Sequence, residues 1–188
     1  MNRHLSLLFF LFILWTQIDA QENETEQKTV DVTKITIMEP GIAHEFAIGK
    51  SQTFFLRGGL TATLATDYYD EISGVLLRLF GSASYRVYYN FAKRNLQEKN
   101  TANNSANYFG LLVLAGTQPL NKSTDYDTRL NNGLLNTGIV WGFQRNYPKH
   151  FSLDLNIGLG YVKAGTLDGF SPIGELNIGF WLGRKKNN

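Results

Sequence analysis

The 188-residue chain has no cysteine, only 4 prolines and, after residues 1–20, no long uninterrupted apolar run. Without cysteine, the fold can use neither disulfide bonds nor thiolate chemistry, and the lipid-anchoring cysteine of a bacterial lipoprotein is missing. Without about 20 consecutive apolar residues, no segment after the leader can cross a membrane as a helix. The chain instead has 18 glycines and 13% aromatic residues, which is typical of many strands joined by turns.

The two ends of the chain differ in composition from its middle. Residues 1–20 have the pattern of a signal peptide, with Arg3 at the start, an apolar middle and a small-residue end at Ala20. Residues 21–33 are polar and aperiodic, which predicts a flexible periplasmic arm. We expect residues 34–183 to form one folded domain and residues 184–188 to form a basic tail.

The charges are balanced, with 18 Lys and Arg against 16 Asp and Glu and a net charge of +2. A nucleic-acid-binding domain would have a clustered basic face, whereas the only basic cluster is at residues 184–186. We therefore expect no nucleic-acid partner.

Residues 151–161 alternate apolar and polar or small residues without a break. Side chains in a strand point to opposite faces with period two, so this segment predicts a strand with one apolar and one polar face. Eleven residues is about the length that a tilted strand needs to cross a bilayer. Similar patterns recur at residues 34–48, 53–66, 74–91, 108–117, 135–145 and 173–182. Between them, residues 93–107 predict a polar loop with room for one helical turn, and residues 164–172 predict a glycine-rich loop.

These seven segments predict a closed antiparallel up-and-down β-barrel of about eight strands. Single-chain bacterial barrels have an even number of strands, and an open edge in lipid would leave backbone groups unpaired. The eighth strand is expected in the first segment, because Pro40-Gly41 divides it into two.

The polar faces of these strands favour a membrane barrel over a soluble one. Solvated faces usually carry many Lys and Glu, but here glycine and serine accompany isolated charges, as a narrow polar lumen requires. We expect these charges to pair across a packed lumen. The predicted lumen charge network is Glu45, Arg57, Arg78, Arg86, Asp154 and Glu175.

Aromatic residues near the predicted strand ends support the same interpretation, because amphipathic rings collect at membrane interfaces. The predicted aromatic girdle is Tyr85, Tyr89, Trp141, Phe143, Phe151, Tyr161 and Phe180.

Several short motifs are found along the chain, namely residues 40–42 with Glu45, residues 88–91 with 93–94, residues 99–101 with 103–105 and Asn107, and residues 141–145. These motifs resemble the small outer-membrane β-barrel proteins of flavobacteria and related Bacteroidetes. The resemblance covers residues 35–182, and it implies export, insertion by the barrel-assembly machinery and an address in the cell outer membrane. The last predicted strand ends in aromatic residues, as family insertion signals do, but residues 183–188 extend beyond it.

The sequence offers no catalytic constellation. After the leader, the histidines are His44 and His150, on different predicted strands and without a nucleophile motif. An acidic loop with Asp67, Asp70 and Glu71 could bind Ca²⁺, but a solvated turn explains it better. We expect a non-enzymatic protein without cofactor or metal.

The sequence therefore predicts a monomeric outer-membrane barrel with a structural or surface-recognition role, whose partners are the lipid bilayer and the barrel-assembly machinery. Loops around Asp67, Ser123 and Asp168 are expected outside the cell. The alternative is a soluble periplasmic or secreted lipocalin-like barrel that binds a small apolar ligand. Two further expectations are that Ile157→Arg impairs insertion and that Gly158→Ala is milder.

Overall fold

A computed structural model describes residues 28–66, 72–121, 132–164 and 167–183 of the chain. Within these ranges, eight antiparallel strands form a closed ring in which each strand pairs with its neighbours in sequence and β8 pairs with β1. The all-β class, the eight strands and the closed up-and-down order are therefore confirmed. The strands are β1 (Val32–Thr36), β2 (Gly41–Ala47), β3 (Gln52–Thr66), β4 (Ile72–Tyr88), β5 (Asn107–Gly116), β6 (Leu134–Asn146), β7 (Phe151–Ala164) and β8 (Leu167–Leu182).

The break at Pro40-Gly41 separates β1 from β2, as predicted, but the folded part begins earlier than residue 34. β1 starts at Val32, and the N–H of Thr29 donates to the carbonyl of Lys50 at 3.0 Å. The side-chain amide of Asn104 bonds both the N–H and the C=O of Val30, at 2.9 and 2.8 Å. The predicted arm is therefore wrong for residues 28–33, while residues 1–27 and 184–188 lie outside the described ranges.

The connection between β4 and β5 is more ordered than the predicted loop at 93–107. β4 ends at Tyr88 rather than at residue 91, and helix α1 (Phe91–Leu96) and a 3-10 turn (Ala102–Asn104) follow. Phe91 and Ala106 are buried against Tyr88 and other aromatic and aliphatic side chains. Burial of apolar residues inside a stretch that is polar overall explains why the sequence suggested a loop.

The predicted glycine-rich loop at 164–172 is wrong for most of its length. β7 continues to Ala164 and β8 starts at Leu167, with Ala164 paired to Leu167. Pro172 is tolerated inside β8 because β1 pairs only with residues 179–182 of that strand, which leaves the upper part of β8 as an edge.

The strands are aligned at one end of the ring and uneven at the other. We call the aligned end, where β1 begins and β8 ends, the lower end. Pairs such as Tyr88 with Tyr108 and Asn146 with Ser152 show that the other strands also begin or end there. At the upper end, β1 and β2 stop after 5 and 7 residues, whereas β3 and β8 run for 15 and 16.

The two faces of β7 are as the alternation predicted. Ile157 and Leu159 are 61% and 70% exposed on the outer face of the ring, whereas Asp154 and Asn156 are 1% and 2% exposed in the interior. The apolar side chains of this strand therefore point outward and the polar ones inward.

The packing around Gly158 shows that Gly158→Ala also has a cost, although it is still expected to be milder than Ile157→Arg. A Cβ added at Gly158 would lie 1.9 Å from the carbonyl oxygen of Ile139, whereas a Cβ at Gly169 would meet nothing within 4 Å. We predict that Gly158→Ala lowers the free energy of unfolding by about 1 to 3 kcal/mol, because the β6 backbone must shift. Gly169→Ala is the control and should change it little. Equal urea unfolding midpoints for the two variants would contradict this packing.

Candidate functional site

The centre of the interior is an ion pair held between aromatic rings. Arg86 Nη1 donates to Asp154 Oδ2 at 2.7 Å, and the hydroxyl of Tyr108 donates to Asp154 Oδ1 at 2.7 Å. The guanidinium carbon lies 3.8 Å from the ring centroid of Phe55 and 4.4 Å from that of Tyr108. The ring stacking and the ion pair together fix the Arg86 side chain in one position.

Glu45 is the second centre of the network and is fully buried. Its Oε1 accepts hydrogen bonds from the hydroxyls of Tyr88 at 2.5 Å and Thr53 at 2.8 Å. Its Oε2 accepts from Gln144 Nε2 at 2.9 Å, and Lys34 Nζ lies 3.8 Å away. Lys34 and Gln144 were not among the predicted residues, although the polar positions of their strands also point inward.

Arg57 forms a third group, near the top of the β1–β2 hairpin. Its Nη2 donates to Glu175 Oε1 at 2.8 Å, and its Nη1 lies 2.9 Å from Glu39 Oε2. Arg57 also donates to Asn177, and its guanidinium carbon lies 4.5 Å from the ring centroid of Phe80.

Arg78 is the member of the predicted network that lies apart from these groups, higher on β4. It donates to the backbone carbonyls of Thr117 at 2.9 Å and Asn132 at 2.6 Å. The structure therefore places all six predicted charges in the interior, with two of the predicted arginines in ion pairs with predicted carboxylates.

The lower half of the interior is a packed plug. A cavity beside Lys34, Asp154 and Asn177 has a volume of about 10 Å³, which is room for about one water molecule. Removing one partner from a buried ion pair leaves an uncompensated charge, so each charged residue of the plug requires its partner. Within the described residues, this arrangement favours packing over conduction in the lower half.

The upper half of the interior differs from the polar packed lumen that was predicted. Above Arg57, apolar inward side chains accompany the buried Arg78; Leu76, Phe80 and Ile173 are 0%, 7% and 6% exposed. The sequence analysis missed them because Leu76 and Phe80 lie on the same face of β4 as arginine and serine.

The outer face has the opposite composition. Three outward-facing side chains of the described strands are acidic or basic: Arg145 near the lower end, and Lys163 and Asp168 near the upper end. His44 is the one outward histidine within a described strand. Apart from His44, the outer face between these levels is aliphatic, aromatic or small. We call this band the apolar belt.

Six of the seven predicted girdle residues lie on the outer face within about five residues of the lower end, a position typical of interfacial aromatics. The seventh, Tyr161, lies near the upper end of β7 and contacts Phe170 on β8. Near the lower end, Trp141 Nε1 donates to the hydroxyl of Tyr89 at 2.8 Å. Three further outward aromatics at the lower end were missed in the sequence analysis, namely Phe46, Phe54 and Phe109.

The two described histidines lie in separate parts of the structure. His44 lies on the outer face with Nδ1 2.8 Å from the hydroxyl of Thr33, whereas Ser84 is buried in the interior. His150 lies in the β6–β7 turn with Nδ1 3.0 Å from the carbonyl of Trp181. Within the described ranges, no cluster of His, Cys, Asp and Glu could hold a metal ion. The acidic loop with Asp67, Asp70 and Glu71 lies outside those ranges.

No helix in the described part of the chain is long and apolar enough to span a membrane.

The chain matches no protein-family model, no curated protein and no solved structure. The resemblance to flavobacterial outer-membrane barrels therefore stays a prediction.

The central ion pair gives a direct test of the plug. We predict that Asp154→Asn lowers the free energy of unfolding by about 3 to 5 kcal/mol, because the positive charge of Arg86 loses its buried partner. Asp168→Asn makes the same change at an exposed carboxylate and should cost less than about 1 kcal/mol. The measurement is urea unfolding in detergent micelles, followed by the fluorescence of Trp141 and Trp181. Similar losses for the two variants would show that the interior pair is not an essential part of the core.

Proposed function

We propose that this chain is a non-enzymatic β-barrel of the bacterial outer membrane with a structural or surface-recognition role. The observation that carries the proposal is the distribution of charge: ion pairs inside the ring and an outer face free of acidic and basic side chains between its two ends. A soluble barrel buries apolar side chains and exposes charged ones, which is the reverse arrangement.

The height of the apolar belt fits a bilayer. Phe151 and Tyr161 face outward on β7, and Leu153, Leu155, Ile157 and Leu159 are the outward residues between them. A strand tilted by about 45° rises about 2.3 Å per residue along the membrane normal, so these ten steps span about 23 Å. The apolar band of outer-membrane barrels is about 25 Å tall.

The topology supports an orientation. Both ends of the described chain lie at the lower end, together with the helix-containing β4–β5 connection. In outer-membrane barrels the chain termini face the periplasm, which would make the lower end the periplasmic one. The β4–β5 connection, residues 89–106, is then longer than the short periplasmic turns usual in this class. The connections β3–β4, β5–β6 and β7–β8, which contain or adjoin Asp67, Ser123 and Asp168, would then lie outside the cell. The proposal includes insertion by the barrel-assembly machinery and a monomeric state in the membrane.

The soluble alternative would leave a large apolar surface in water. Ile139, Leu111 and Leu159 are 64%, 58% and 70% exposed on adjoining strands. Contiguous apolar surface of this kind marks an interaction with a membrane or a partner. A direct experiment is to purify the chain without residues 1–20 and remove detergent: the proposal expects aggregation unless lipid vesicles are supplied, and a monodisperse protein in buffer alone would favour the lipocalin-like alternative.

An arginine scan of two outward positions tests the belt more locally. We predict that Ile157→Arg destabilises the protein in vesicles by about 2 to 4 kcal/mol, because it places a charge near the centre of the hydrocarbon. Val75→Arg replaces another outward aliphatic residue about 13 residues above the lower end, beyond the belt, and should cost about 0 to 1 kcal/mol. The measurement is urea unfolding in phosphatidylcholine vesicles. Equal tolerance of the two arginines would contradict a lipid-facing belt.

A further inference from the structure

Two arginines lie close together at the lower end of the ring. Arg145 is the last but one residue of β6, where it faces outward, and Arg94 belongs to helix α1 in the β4–β5 connection. Both are half-buried, and their positive charges are near enough to repel each other. Among the described residues, no carboxylate forms an ion pair with either guanidinium. An anion placed between the two arginines would therefore stabilise both.

Neutral acceptors hold both guanidinium groups and leave donors unused. Arg94 Nε and Nη2 donate to the carbonyl of Asn100 at 3.3 and 2.8 Å. Arg145 Nη2 donates to Asn107 Oδ1 at 2.7 Å, and its Nη1 donates to the carbonyl of Gln144 at 2.7 Å. A guanidinium carries more N–H donors than these bonds use. Each arginine can therefore bind a further acceptor without giving up the contacts that position it.

The β4–β5 connection is tied to β6 beside Arg145. Asn100 Nδ2 donates to the carbonyl of Asn146 at 2.7 Å, and Ser105 Oγ accepts from the N–H of Asn146 at 2.8 Å. Asn146 directly follows Arg145, so the segment that carries Arg94 is bonded to the residue next to Arg145. Because the two arginines are held in place before any ligand binds, little conformational entropy is lost on binding.

Two tyrosine hydroxyls lie beside the arginines. Tyr89 and Tyr147 are 52% and 45% exposed; both lie near Arg145, and Tyr147 also lies near Arg94. The Tyr89 hydroxyl accepts a hydrogen bond from Trp141 Nε1 at 2.8 Å, which leaves its own O–H as a donor. Guanidinium and hydroxyl donors that converge without a carboxylate among them suit the oxygens of a phosphate. We call Arg94, Arg145, Tyr89 and Tyr147 the arginine site.

The arginine site lies at the headgroup level of the proposed membrane. Trp141 and Phe143 precede Arg145 on the outward face of β6, and both belong to the predicted aromatic girdle. The guanidinium carbon of Arg145 lies 5.2 Å from the ring centroid of Phe143. Interfacial aromatic rings lie where hydrocarbon meets the headgroups, so a guanidinium just below them meets lipid phosphates. Under the proposed orientation, these phosphates belong to the periplasmic leaflet.

The rest of the lower end is basic as well. Outside the interior of the ring, the acidic side chains at the described lower end are Asp31 and Glu98. The basic ones are Lys28, Lys50, Lys93, Arg94, Lys99, Arg145 and Lys149. Basic side chains close to a bilayer surface attract anionic lipids. The charge of this end therefore favours an anionic phospholipid over a zwitterionic one at the arginine site.

We propose that the arginine site binds the phosphate of an anionic phospholipid in the periplasmic leaflet. Arg94 and Arg145 hold the phosphate oxygens from two sides, and the acyl chains of the lipid lie against Phe143 and Trp141. The inference rests on the proposed membrane location. It adds to that proposal a ligand class and the residues that recognise it.

Trp141 is placed to report which lipid occupies the arginine site. Trp15→Phe and Trp181→Phe leave Trp141 as the one tryptophan of the chain. This parent protein is reconstituted in vesicles that contain equal amounts of phosphatidylglycerol and phosphatidylcholine. The acyl chains of phosphatidylglycerol carry bromine in one preparation, and those of phosphatidylcholine carry it in the other. Bromine quenches tryptophan only at short range, so the ratio of quenching in the two preparations measures the preference for the anionic lipid.

We expect the parent protein to prefer phosphatidylglycerol about fivefold, and the variant that combines Arg94→Gln and Arg145→Gln to have almost no preference. The matched control combines Lys28→Gln and Lys50→Gln, which removes two charges from the β2–β3 side of the same end and should keep the preference. A preference that survives in the arginine variant, or that is lost equally in the lysine control, would overturn the site.

Quenching in vesicles made wholly of brominated phosphatidylcholine shows whether the arginine variant is folded and inserted. If that variant fails this check, Arg94→Gln alone is used, because Arg94 lies outside the strands. Loss of the preference when inorganic phosphate replaces chloride at constant ionic strength would assign the site to the free ion and overturn the lipid. Absence of Trp141 quenching in every brominated preparation would instead refute the membrane location, so the two proposals fail in distinguishable ways.

Discussion

The pairing of β1 with β8 is the constraint on which the rest of the structure depends. Four register pairs, from Thr33 with Leu182 to Thr36 with Gly179, join the first strand to the last. Without them the sheet would have two free edges along its whole height. Because unpaired backbone groups cost several kcal/mol each in hydrocarbon, this short seam decides whether the lower half of the sheet can exist in a bilayer.

Closure of the ring also allows charged side chains to lie inside it and apolar side chains to lie outside. Arg86 on β4 and Asp154 on β7 can pair at 2.7 Å only because the ring brings facing strands together. Once these charges are satisfied inside, the outward positions are left free to be apolar. This arrangement ends near the turn of the β1–β2 hairpin, because the ion pairs and the part of the ring that has all eight strands both stop there. The shortness of two strands thus separates a lower half, closed by eight strands and filled by ion pairs, from an upper half in which apolar side chains accompany Arg78.

The sequence predicts the parts of this fold that local pattern determines and misses those that depend on distant contacts. The unbroken alternation at 151–161 predicts both faces of β7, and Pro40-Gly41 predicts the division between β1 and β2. Lys34 stands at the start of the first predicted segment, next to the predicted arm, so local alternation does not assign its face, and its partner Gln144 lies 110 positions away. The apolar upper interior was missed for a related reason: Phe80 shares its face with Arg78 and Ser82, so the face as a whole reads as polar.

The central claim is that hydrocarbon touches the outward side chains of β7. The most direct test is a nitroxide scan of every residue from 151 to 163 in phosphatidylcholine vesicles, with collision rates measured for oxygen and for a water-soluble nickel chelate. The account predicts a period-two pattern in which outward positions have high oxygen and low nickel access, with the largest contrast at residue 157 and a decline toward both ends. High nickel access at residues 155, 157 and 159 would show that water covers this face and would contradict the account.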